Sequence, residues 1–264
     1  MKVVFPLLLL VNTLVISLCS GCVFSEEEKE TIINVEPEFS VDMYEEPGEP
    51  SQFIFRLKTI EVHDCLNDTI NYSVQRLATK VNLNINSIAN ASDCIPGNQP
   101  ITSSARVGQL GNGVYALQIG LKYTIFNKGK LFVSDQAFQI SMEDENGFEL
   151  IRSELKRVPN RLIWGYVAYQ DQSAVGDLPQ QFLAEVQAIS QPVSLLQGSY
   201  SSFLVDENNV LKLPEAPPFP YFKTFYFKFD GDLQELVDLL DSYRSGTGGN
   251  STEFKIFTWK GDTF

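Results

Sequence analysis

The sequence predicts a mainly β protein, an N-terminal β-sandwich followed by a C-terminal α+β domain, and three observations predict it. Between residues 53 and 159 apolar side chains recur at every second position in short runs, with turn residues about every ten positions, the pattern of half-buried strands. Residues 162–169 are then apolar on both faces, as in a central strand covered on two sides. Two later segments, near residues 178–190 and 233–245, change to helical spacing.

Taken in order, Phe53, Phe55 and Leu57 share one face opposite Arg56 and Lys58. Val81, Leu83 and Ile85 alternate with Asn82, Asn84 and Asn86, the cleanest half-buried strand in the chain. Tyr115, Leu117, Ile119, Leu121 and Tyr123 alternate with Ala116, Gln118, Gly120 and Lys122. Asn127-Lys128-Gly129 reads as a hairpin turn. Phe138, Ile140 and Met142 form another strand, and Asp144-Glu145-Asn146-Gly147 supplies the turn after it. Beyond Pro159, Pro179 suits the first turn of a helix carrying Leu178, Phe182, Val186 and Ile189. Residues 200–205 and 210–213 form a hairpin around Glu207-Asn208-Asn209. An aromatic strand covers residues 221–229, Asp232 and Glu235 make a capping box for the second helix with Gly246 as its C-cap, and residues 254–259 form the last strand.

Composition narrows the function. The 264 residues carry 44% hydrophobic side chains, too apolar for a disordered chain and enough for one or two cores. With 20 Lys+Arg against 33 Asp+Glu the net charge is −13, which disfavours nucleic acid as a partner. His63 is the single histidine, so neither a His-rich metal centre nor a Ser-His-Asp triad is expected. The dinucleotide, phosphate-loop, zinc-protease and nucleophile-elbow motifs are all missing from the sequence; Gly129-Lys130, for one, is followed by Leu131. Acidic residues are numerous, but no two are singled out as an acid/base pair. The expectation is a non-enzymatic protein without catalytic residues, metal or cofactor. The third alternative, an unrecognised hydrolase, would require a concave pocket with two converging carboxylates of perturbed pKa.

The first 22 residues carry the strongest signal. Met1-Lys2 is followed by an apolar run from residue 3 to 18, interrupted by Pro6, Asn12 and Thr13. That is short for a membrane span and suits a secretory signal. It ends in Cys19-Ser20-Gly21-Cys22. Ser20-Gly21-Cys22 resembles the end of a lipobox, as in bacterial lipoproteins; Cys19 departs from the Leu usual there. The resemblance implies that residues 1–21 are a signal peptide and that Cys22 receives a diacylglyceryl group, anchoring the chain in a lipid bilayer. Residues 22–50 then read as an acidic flexible tether, with Glu26-Glu27-Glu28-Lys29-Glu30 near its start. An acidic cluster behind a lipidated Cys is similar to the export signal of surface lipoproteins in Bacteroidota. With Val23 rather than Asp after Cys22, the resemblance implies an outer-membrane location, periplasmic or surface-exposed. Residues 51–158 are assigned to the sandwich and 159–264 to the α+β domain with two helices. Leu110-Gly111-Asn112-Gly113-Val114-Tyr115 resembles the entry to a late strand of Ig-like sandwiches.

Cys65 and Cys94 are the two cysteines of the body, and in an exported chain a disulfide is the expected state. The alternative, a metal held by His63, Asp64 and Cys65, lacks the four ligands of structural zinc. Trp164 and Trp259, with Tyr166 and Tyr169, are candidates for a platform that stacks on sugar rings; packing in a core is the other role for such residues. Asp68-Thr69-Ile70 resembles the sequon for O-glycosylation of exported Bacteroidota proteins, which makes Thr69 a candidate acceptor. The leading expectation is an anchored lipoprotein with a binding or envelope-assembly role toward another envelope protein. The second is a glycan-binding lipoprotein accessory to polysaccharide capture.

Overall fold

The computed structural model describes residues 35–246 and 252–264; the signal segment, Cys22 and the start of the tether lie outside them. The chain is mainly β. Sixteen strands are described: β1 (Phe39–Glu46), β2 (Gln52–Cys65), β3 (Thr69–Leu77), β4 (Lys80–Ala89), β5 (Pro96–Gly108), β6 (Gly113–Leu121), β7 (Ile125–Val133), β8 (Ala137–Met142), β9 (Phe148–Leu150), β10 (Glu154–Lys156), β11 (Leu162–Tyr169), β12 (Gly198–Ser199), β13 (Leu204–Val205), β14 (Leu211–Lys212), β15 (Tyr221–Lys228) and β16 (Thr252–Thr258). Three helices join them: α1 (Gln172–Val175), a single turn, α2 (Leu178–Ala188) and α3 (Leu233–Gly246).

The first ten strands form two sheets in the orders β5-β2-β1-β9 and β10-β8-β7-β6-β4-β3. Alternation along each strand sends one set of side chains into the space between the sheets. Phe39, Val41, Met43, Phe53, Phe55 and Leu57 enter from the four-stranded sheet. Val81, Leu83, Ile85, Leu117, Ile119 and Leu131 enter from the six-stranded one. Shared burial of these side chains holds the layers together, at about 1.5–3 kcal/mol for each large side chain fully withdrawn from water. At one edge the sheets are tied by the Tyr72 hydroxyl, which donates to the Ser104 carbonyl at 2.7 Å.

Three expectations give way in this part of the chain. The tether does not extend to residue 50: β1 lies inside the four-stranded sheet, antiparallel to β2 and parallel to β9. Phe39, Val41 and Met43 alternate beneath an acidic average composition, and their burial outweighs the charges on the opposite face. Asn127-Lys128-Gly129 is not a turn either, because β7 runs straight through it. The reversal occurs at Lys122 and Tyr123, both at positive φ, so the expected alternation through Tyr123 stops at Leu121. Asn127 is instead buried, donating from Nδ2 to the carbonyls of Ile119 and Asn146 and accepting from the Asn146 N–H.

The remaining chain builds on β11, every residue of which is buried. It lies between β15 and β16 in an antiparallel sheet of order β15-β11-β16. On one face Phe182 and Val186 of α2 and Leu236 and Leu240 of α3 pack on Ile163, Val167 and Phe254. On the other, Leu162 and Trp164 meet Tyr200, Phe203, Val205 and Leu211 around the small β12-β13-β14 sheet. Asp232 caps α3 by accepting from the Gln234 N–H at 3.0 Å.

Candidate functional site

Cys65 and Cys94 are joined by a disulfide with their Cα atoms 5.2 Å apart. It links the end of β2 to the segment before β5, and the chain-entropy account gives roughly 3–4 kcal/mol for a loop of this length. With its sulfur engaged, Cys65 is no thiolate ligand for a metal beside His63. Thr69, the first residue of β3, is exposed. Its neighbour Asp68 is buried and accepts from the Ala91 N–H.

Trp164 and Trp259 do not form a platform. Trp164 is 2% exposed, stacked on Phe257 at 5.8 Å and packed against Phe203 at 5.2 Å. Trp259 is 8% exposed, its indole N–H donating to Glu49 at 2.7 Å. Tyr166 and Tyr169 are buried as well. Burial of these rings on both faces of the β11 sheet leaves no ring face for a sugar.

Trp259 borders a cleft of about 370 Å³ that also exposes Glu49, Asp135 and Asn160 and has Glu45 and Arg157 in its wall. Carboxylates do converge here, but each is occupied. Glu45 is buried; its Oε1 accepts from the Ser51 hydroxyl at 2.7 Å and from Arg157 Nε at 3.2 Å, and its Oε2 from the Val158 N–H at 2.8 Å. Asp135 accepts from the Asn112 amide at 2.6 Å. The Trp259 indole N–H, and after it Lys260, hold the Glu49 carboxyl below the usual carboxylate range. That favours the ionised form, opposite to what a general acid at neutral pH requires. The cleft therefore joins β1 to the β10–β11 connection through an ion pair.

Burial, joined by the carboxylates Glu253 beside the first and Glu185 beside the third, pushes the hydroxyls of Tyr166, Tyr200 and Tyr243 up to about 12. Between pH 10 and 12 the folded chain keeps these protons while the unfolded chain, titrating near 10, has released them. Stability is thus present below pH 10 and is lost as pH rises toward 12. Spectrophotometric titration at 295 nm should show a delayed group of tyrosines, ionising together with loss of near-ultraviolet circular dichroism. Ionisation of every tyrosine near pH 10 in the folded chain would contradict it.

The outer face of the six-stranded sheet has a different character. Registers place Ser73, Asn84, Gly120 and Phe126 in one row across β3, β4, β6 and β7. Gln75, Asn82, Gln118 and Lys128 form the next. Leu77, Lys80, Ala116 and Lys130 form a third, continued by Ser141 of β8. Asn84 and Phe126 both lean over Gly120, where an added Cβ would fall 2.1 Å from Asn84 Oδ1 and 3.3 Å from the Phe126 ring. Lys80 reaches Gln118, and Asn82 donates to Gln75. The Oδ1 atoms of Asn82, Asn84 and Asn86 are enclosed by their neighbours and accept no hydrogen bond.

Charge is segregated along the sequence as well. Between Thr69 and Val133 the bases Arg76, Lys80, Arg106, Lys122, Lys128 and Lys130 are set against Asp93 alone, within a chain of net charge −13. Arg106 and Lys122 are paired with Glu46 and Glu38. Among the described residues Lys80, Lys128 and Lys130 have no carboxylate partner. Read as a half-buried strand, β4 gives no hint of this face; amides at alternate positions together with the missing acids are the signal that finds it. Compared with protein-family models, curated proteins and solved structures, the chain finds no match.

Proposed function

We propose that the chain is an exported lipoprotein, anchored to the outer membrane through a diacylglyceryl group on Cys22, whose folded body binds a partner and performs no catalysis. The observation that carries this reading is the Cys65–Cys94 disulfide. Such bonds persist in oxidising compartments, and Ser20-Gly21-Cys22 behind an apolar run supplies the route there. The occupied carboxylates of the cleft support binding over hydrolysis. The tether in this reading is shorter than the sequence suggested, ending before β1.

Cys22→Ala is expected to move the protein from the membrane pellet to the soluble fraction after cell lysis, because a single point of attachment is removed. Unchanged partitioning would remove the anchor from the proposal. Intact mass of the wild-type chain checks the rest: loss of residues 1–21 with a lipid increment at Cys22, and a glycan increment that disappears in Thr69→Ala. A mass equal to the bare polypeptide contradicts both modifications.

A further inference from the structure

We infer that the outer face of the six-stranded sheet is a binding surface for an anionic polysaccharide, lying across β3, β4, β6 and β7. The inference rests on the binding role proposed above and names its ligand class. Two properties of the face select that class together. The first is the set of unpartnered acceptors. Buried polar atoms are normally paired, and an orphaned acceptor is costly because its desolvation is not compensated. Asn82, Asn84 and Asn86 line up three of them on one strand. An acceptor is satisfied by an O–H or N–H donor, which sulfate, phosphate and carboxylate do not offer and a sugar hydroxyl does. The amide Nδ2 and Nε2 groups of Asn82, Gln75 and Gln118 supply the complementary donors. Gln118, Lys80 and Lys128 are long, flexible side chains, able to part as a ligand reaches the asparagines.

The second property is charge. Lys80, Lys128 and Lys130 project from a face whose central strands carry no acid, in a protein that is acidic elsewhere. This arrangement attracts polyanions to one face and repels them from the rest. Phe126, in the Asn84 row, and Phe132, farther along β7 beyond Lys130, are 50% and 37% exposed. Exposed rings are costly in water and suit the C–H face of a pyranose. Donor and acceptor amides, apolar rings and lysines without a carboxylate partner are what a hydroxylated, negatively charged polymer presents in reverse. Three strand intervals span roughly 14 Å, enough for a short oligosaccharide segment.

Native gel electrophoresis of the full chain, with polygalacturonate, chondroitin sulfate, dextran or polyacrylate cast in the gel, tests this. At least one of the two anionic polysaccharides should retard the protein, and neutral dextran should not. Lys128→Glu should weaken the apparent affinity about tenfold and Phe126→Ala about fivefold. Lys58→Glu, the same charge change on the exposed face of the other sheet, should leave it unaltered. Lys128 and Phe126 are exposed, and circular dichroism of each variant should match the wild type. Absence of retardation by both anionic polysaccharides overturns the inference. Equal retardation by polyacrylate, which has no hydroxyls, overturns it in favour of bare charge attraction, and equal weakening by Lys58→Glu overturns the placement on this face. The anchoring proposal is judged separately by the fractionation of Cys22→Ala, so either can fail without the other.

Discussion

Replacing Glu45 by alanine is expected to destabilise the fold by about 3–5 kcal/mol, a drop in melting temperature on the order of 10 °C. The side chain is buried, and its two oxygens accept from Ser51, Arg157 and the Val158 N–H. Alanine removes all three acceptor contacts at once. The Arg157 guanidinium, only 22% exposed, is left without its carboxylate, and the Val158 N–H without its partner. Uncompensated burial, rather than the lost attraction, supplies most of the effect. Glu45→Gln keeps an acceptor and loses the charge, so its effect should fall between wild type and alanine. Thermal unfolding of both variants, with Glu45→Ala/Arg157→Ala as the double mutant, measures this. If the double mutant is as unstable as the two single effects summed, the pair is not coupled and the account fails.

Gly165→Ala adds one methyl group and is expected to cost about 3 kcal/mol or more, at the upper end for overpacking. Gly165 is a buried residue of β11, where a Cβ would lie 2.0 Å from the Lys255 carbonyl oxygen and 2.9 Å from the Phe225 ring. A side chain could rotate away, but the first obstacle is backbone of β16. Relief requires β11 and β16 to move apart across seven paired positions. Gly111→Ala is the control: its nearest contact would be the Tyr115 hydroxyl at 3.9 Å, and its melting temperature should stay within about 2 °C of wild type. Unfolding curves for the two variants that coincide would show that the β11–β16 spacing is slack.

The elements that could be read from the sequence were those in which burial and local pattern agree. Alternation along β4 and β6, the two-sided apolar run of β11 and the Pro179 start of α2 all describe contacts that local spacing dictates. Reading fails where a distant partner decides. Phe39, Val41 and Met43 look like part of an acidic linker until β2 and β9 are placed beside them. Asn127-Lys128-Gly129 has turn chemistry, yet Asn127 finds its hydrogen bonds within the sheet and at Asn146. β4 and β6 are parallel neighbours, with β5 between them in sequence but assigned to the other sheet. This exchange assembles the amide rows, and no local window contains it. The tryptophans illustrate the reverse error: a residue type suited to sugars was placed by packing, at Trp164 between Phe203 and Phe257.

The interior position of β1 also has a mechanical meaning. A body held by its N-terminal end and pulled through its outer face carries the load along β1. That strand is bonded along its whole length to β2 and over three residues to β9. Tension along a strand loads its hydrogen bonds in shear, so that many must yield together instead of one after another as in peeling. Under the anchoring and binding proposed above, this sheet would be the strain-bearing root, keeping the fold closed while a bound polymer is dragged.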